Sequence, residues 1–154
     1  MKKICVVITA RPSYSRIKSL LTAINENPNL ELQLILGASA LLERYGSVID
    51  TIKADGFQPN EIIHMVIEGG DLSTSAKSTG LGIIELSTAF NNLKPDIVLK
   101  VADRFDTIAT AIAASYSNIP LAHVQAGEIS GSIDEKVRHA VCKLSVIHFV
   151  ATKQ

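Results

Sequence analysis

The chain has 154 residues, with fifteen basic and fifteen acidic side chains, 47% hydrophobic residues, 5% aromatics and no Trp. Zero net charge excludes the electrostatic footprint of a nucleic-acid binder and leaves nothing to draw the chain to a membrane surface; no apolar stretch approaches the roughly 20 residues that span a bilayer. A single domain of this length buries roughly two-thirds of its unfolded surface, and apolar content drawn from Ile, Leu, Val and Ala suits a parallel sheet covered by helices better than a β-sandwich.

The opening "MKKICVVITA" has the charged start and apolar run of a secretory leader. That run is only about seven residues long and leads straight into "RPSYSR", so it reads as a first buried strand, Ile4 to Thr9. Further strand-like runs follow at Leu32 to Leu36, Ile62 to Ile67, Ile97 to Val101, Leu121 to Gln125 and Val146 to Ala151. Helical periodicity fills the gaps at about 14 to 26, 40 to 55, 74 to 92, 104 to 116 and 133 to 143. Strict β-α alternation with right-handed crossovers predicts an α/β doubly wound parallel sheet in the order 3-2-1-4-5-6. Cys5 and Cys142 lie in apolar runs without zinc-ligand or CxxC spacing, which predicts buried free thiols in a reducing cytosol.

In that order the loops leaving strands one, four and five gather at the topological switch point, where ligands bind in open α/β sheets. They read "TARPSYSR", "VADRFD" and "QAGEISGSID". The first has none of the glycines that let backbone amides reach a dinucleotide's pyrophosphate, so NAD is not expected. Arg11 and Arg16 could meet an anion at a helix amino end; equally, Arg16 could be a solvated helix residue and Ser13 a cap. Asp103, just past an apolar strand, is placed either as a base or as a helix cap or partner of an arginine. "SIDE" at 132 to 135 fits a capping box, which accounts for Ser132 and Glu135 and favours Asp134 at the positive end of a helix. It does not account for Glu128 between Gly127 and Gly131, nor for Arg138 and His139. His123 alternates with apolar residues and reads as a core histidine. "GLG" at 80 to 82 falls inside a helical pattern, "GEISG" misses the nucleophile elbow, and no HExxH spacing supports a metal.

Three of these stretches, in this order, resemble the UDP-N-acetylglucosamine 2-epimerase family, above all its hydrolysing branch: "RPSYSR", "ADRFD" and the long gapless "HVQAGEISGSIDEKVRHAVCKL". The resemblance implies a Rossmann-like fold and covers the whole chain, which would be the N-terminal half of a glycosyltransferase-B type two-domain protein whose C-terminal domain supplies most contacts to UDP. It also implies a reaction. A base removes the sugar C2 proton as UDP leaves C1, a 2-acetamidoglucal forms, water adds at C1, and a proton returns to the opposite face of C2. Inversion needs acid/base groups on both faces of the ring. By resemblance Asp103, Glu128 and Asp134 are the acid/base candidates. Arg11, Arg16, Gln125, Arg138 and His139 would bind the substrate or its leaving phosphate. No cofactor and no metal is implied, nor a nucleic-acid or membrane partner; the substrate is a UDP-sugar, the location cytoplasmic, and dimerisation is usual in the family.

Three residues depart from the family pattern. Gln125 stands where many members have Glu, and a carboxamide takes no proton at neutral pH. Ser13 replaces an acidic residue, and Ala102 replaces Gly. The competing expectations are a non-catalytic module that binds a nucleotide-sugar or a partner, and a non-hydrolysing epimerase.

Overall fold

The computed structural model describes residues 1–42, 47–102, 104–126 and 133–150. Its elements alternate as the sequence pattern requires: β1 (Lys2–Ile8), α1 (Arg11–Glu26), β2 (Leu30–Gly37), a 3-10 turn (Ala38–Leu41), α2 (Ile49–Ala54), β3 (Glu61–Ile63), α3 (Leu72–Leu93), β4 (Ile97–Val101), α4 (Phe105–Tyr116), β5 (Leu121–Ala126), α5 (Ile133–Leu144) and β6 (Ile147–Val150). All six strands join one sheet in the order β3-β2-β1-β4-β5-β6, every pairing parallel. The expected doubly wound, Rossmann-like order is therefore the observed one.

Period-two alternation divides the core between the two faces. Val6 and Ile8 of β1, with Leu34 and Leu36 of β2, pack under Tyr14, Ile17 and Leu21 of α1 and Ile52 of α2. Cys5, Val7, Ile35 and Val98 point the other way, under Leu86 and Phe90 of α3, Ala109 and Ala113 of α4 and Val141 of α5. Burial pushes the Cys5 thiol up to about 12, so it stays protonated and inert. Cys142 is only half-buried, contrary to expectation, because it lies on α5 at the margin of the core. His123 is the core histidine expected: it has no exposure, and its Nδ1 lies 3.4 Å from Cys142 Sγ.

Two expected elements are shorter than the sequence suggests. The third strand ends at Ile63 instead of reaching Ile67, and the Ile67 amide donates to the Ser78 hydroxyl of α3 at 2.8 Å. The helix expected over 40 to 55 is a 3-10 turn and a separate six-residue helix, tied together by the Val48 amide donating to the Ala40 carbonyl. No described helix is long and apolar enough to cross a membrane.

Candidate active site

Helix α1 begins at Arg11, one residue after its cap Ala10, with Pro12 in the first turn where its missing N–H costs nothing. Ser13 is therefore not the cap: it is buried inside the first turn. This start places Arg11 and Arg16, both exposed, above the carboxyl end of the central strand β1. Arg16 does not simply extend into solvent. Its Nη1 donates to Gln125 Oε1 at 2.9 Å, joining the ends of β1 and β5 across 109 positions of sequence.

Gln125 is held there by an unusual backbone. Its φ is 67°, and the β5–β6 register shifts between Val124 and Ala126, which marks a bulge at the strand end. Ala102, closing β4, is also left-handed with φ 69°. Non-glycine residues in this region are uncommon and concentrate at functional sites. The Ala102 carbonyl accepts from the ammonium of Lys100, a lysine with 1% exposure in a central strand.

Next to it, Asp106 lies in the first turn of α4 with no exposure. Neither carboxylate oxygen has a hydrogen-bond partner of good geometry among the described residues. Burial raises its pKa to about 6; Arg104, its own backbone N–H and Lys100 oppose the rise, and Asp134 of α5 adds to it. Asp134 itself is half-buried in the first turn of α5.

Arg138 and His139, adjacent on α5, diverge. Arg138 is buried at 5% exposure, whereas His139 is exposed and faces Glu135 one turn earlier, at 3.8 Å. Asp103 and Glu128, the other acid/base candidates, lie outside the described residues, as does Ser132 of the expected capping box. Arg16 and Gln125 thus meet beyond the ends of β1 and β5, whereas His139 sits on an outward face of α5. Among the described residues no group of three or more His, Cys, Asp or Glu side chains could hold a metal ion.

Beside Asp106 opens a pocket of about 220 Å³, walled by Ala38, Ser39 and Leu42 after β2, by residues 66–70 after β3, by Thr74, Ser75 and Ser78 of α3, and by Arg104 and Asp106. The sequence reading did not single out this pocket. Its signals were the Gly69-Gly70 pair just before the helix cap Asp71, and a lysine and an aspartate bracketing the end of an otherwise apolar strand and helix. Asp71 itself forms a reciprocal capping box with Thr74, its carboxylate accepting from the Thr74 amide at 2.7 Å.

A family model described as UDP-N-acetylglucosamine 2-epimerase matches residues 22–154. The chain belongs to that family. Among curated relatives, this epimerase-family chain is 36% identical over 153 residues to the "UDP-N,N'-diacetylbacillosamine 2-epimerase (hydrolyzing)" of Legionella pneumophila, covering 99% of itself and 41% of the relative. It is 30% identical over 154 residues to the UDP-N-acetylglucosamine 2-epimerase of Neisseria meningitidis, covering 100% of itself and 40% of the relative. The solved structure of a Neisseria meningitidis UDP-GlcNAc 2-epimerase bound to UDP-GlcNAc superimposes with a TM-score of 0.82 at 20% identity, over 96% of this chain and 40% of that one. The epimerase-family chain therefore spans about 40% of the length of the relatives it matches.

Proposed function

We propose that this chain is the amino-terminal lobe of a hydrolysing UDP-sugar 2-epimerase, a cytoplasmic enzyme that converts a UDP-linked 2-acetamido sugar and water into UDP and the C2-inverted free sugar. The observation that carries the reading is the 36% identity, across 99% of the chain, to a relative named as hydrolysing. The geometry supports it. The guanidiniums of Arg11 and Arg16 stand at a helix amino end, where a departing diphosphate is favoured. Asp134, half-buried in the first turn of α5, is kept as an acid/base group. Asp103 and Glu128 carry the remaining acid/base work in this proposal, because Gln125, bonded to Arg16 through its carbonyl oxygen, acts by orienting and not by taking a proton. Of the two basic residues on α5, only the buried Arg138 is kept as a substrate contact in this proposal, and the rest of the parent protein supplies the second wall of the cleft.

The full-length protein, incubated with a UDP-linked 2-acetamido sugar in deuterated water, releases UDP and a manno-configured sugar carrying deuterium at C2. UDP release without deuterium at C2 refutes the elimination route. Asp103→Asn lowers turnover by about a hundredfold or more; an unchanged rate removes Asp103 from the mechanism. The family match is common to both outcomes, so the competing reading is a non-hydrolysing epimerase. A product still linked to UDP decides for that reading.

A further inference from the structure

Of the stretch "RPSYSR", the proposed function uses the two arginines and leaves Tyr14 without a part. Its ring is buried, at 4% exposure, in the core cluster that holds Ile17, Leu21 and Ile52. A phenylalanine ring would supply the same apolar contact, so the hydroxyl has a use of its own. It donates to Asp55 Oδ2 at 2.6 Å, and the ammonium of Lys18, one turn further along α1, donates to Asp55 Oδ1 at 2.6 Å. Asp55 is the residue that closes α2. Burial first, then the carboxylate beside it, pushes the pKa of the Tyr14 hydroxyl up, while Lys18 first and Tyr14 second hold the Asp55 carboxyl below its ordinary value. The hydroxyl therefore stays a donor and the carboxyl an ionised acceptor, which makes the bond a charge-assisted one.

The opposite flank of α1 carries a second anchor. Arg16 lies two positions from both Tyr14 and Lys18, which at about 3.6 residues per turn is roughly 200° around the helix, and its Nη1 donates to Gln125 at the end of β5. Ile17, Leu21 and Ile24, buried between these flanks, face the sheet. In the sheet β2 and β3 lie on one side of β1, and β4 and β5 on the other. Since α2 joins β2 to β3, one anchor lies toward each edge. A helix held on both flanks cannot roll about its axis without breaking one of the two bonds. Rolling would be felt at the amino end, because Arg11 stands one turn before Tyr14 on the same flank and Arg16 is itself an anchor. A guanidinium has five N–H donors, so Arg16 can keep Gln125 and still meet a phosphate.

We propose that Tyr14 and Asp55 are positioning residues whose bond fixes the roll of α1 and so aims Arg11 and Arg16 at the diphosphate of the nucleotide. This inference rests on the diphosphate contact in the proposed function and adds to it two residues that do not touch the substrate.

The test measures the dissociation constant of UDP for the full-length protein by calorimetry, a quantity that does not depend on turnover. Tyr14→Phe keeps the ring, removes only the hydroxyl and raises that constant by about fivefold or more. Asp55→Ala, which removes the acceptor instead, does the same. Ile35→Val, a shortened core side chain on the opposite face of the sheet, lowers the melting midpoint but leaves UDP affinity within about twofold of the wild type. The deciding readout is coupling: in a background carrying Arg11→Ala and Arg16→Ala, Tyr14→Phe changes UDP affinity by less than about twofold, because the residues through which it acts are gone. A Tyr14→Phe protein with UDP affinity within about twofold of the wild type, or a loss equally large in both backgrounds, overturns the positioning role and leaves the epimerase reading in place. Protein that binds UDP but releases none from a UDP-linked 2-acetamido sugar overturns the epimerase reading alone; protein that does not bind UDP overturns both.

Discussion

At the scale of single residues, the protonation of Asp106 links the site to stability. Its folded pKa of about 6 lies above the ordinary aspartate value of 3.8, so between roughly pH 4 and 6 the folded state holds a proton that the unfolded state has already released. Stability from this group is fully present below that window and declines as pH rises through it. The total loss is on the order of 3 kcal/mol for a shift of this size. Asp106→Asn cannot titrate. Urea unfolding is expected to show the variant gaining on the wild type by about 2–3 kcal/mol between pH 4 and pH 8; a constant difference would mean that the carboxyl is not buried as described. Asp106 is visible in the sequence only as part of "VADRFD"; its burial was not legible there, since it depends on α3 and the turn after β2, remote in sequence, lining the same pocket. Ala102 shows the same limit from another side. Its departure from the family's Gly was legible, but the backbone reason, a left-handed φ of 69°, needed coordinates. Gln125, at 67°, shares that strain and turns the carboxamide toward Arg16.

At the scale of elements, strand positions were legible because period-two burial on a parallel sheet writes itself into apolar runs. The expectation failed where hydrogen bonding, not hydrophobicity, decided the matter. Residues 64–67 continue the apolar run, yet the Ile67 amide bonds a serine side chain of α3 instead of a neighbouring strand. The packing of α3 on α4 was equally hidden, because "GLG" in a helical pattern carries no phosphate-binding role and its use is steric. A Cβ on Gly82 would overlap Met65 Cε and come within 3.0 Å of Ala109 Cβ, so the glycine lets the two helices approach closely. Gly82→Val forces them apart. Overpacking of this kind costs about 1–3 kcal/mol, against a gain in helix propensity of only a few tenths. Thermal unfolding should show a lowered midpoint; an unchanged one would mean that Met65 moves aside and that the α3–α4 contact is loose. Because α3 and α4 both line the pocket beside Asp106, the same variant is a check on how firmly that pocket is shaped.

At the scale of the whole molecule, the sheet's two edges differ. At one end β3 is only three residues long, which limits what it can pair with. At the other end β6 is exposed along its entire length, with Phe149 at 52% and Val146, just before it, at 67% exposure. The sequence showed β6 as another apolar run of the kind buried strands have, and composition alone does not separate an interior strand from an edge; topology does. Among the described residues β6 pairs with β5 alone, and an apolar strand with an open ladder side is a template for further pairing, its side chains favouring a partner over water. The 154-residue chain is therefore expected to self-associate in a concentration-dependent way through β6. Phe149→Lys places a charge on the exposed edge, removes an aromatic contribution of about 1.5–3 kcal/mol, and weakens association by about tenfold or more. Sedimentation velocity over a dilution series measures this directly. A wild type that remains monomeric throughout, or a variant that associates as strongly as the wild type, would show that β6 is not the surface through which copies of this chain meet.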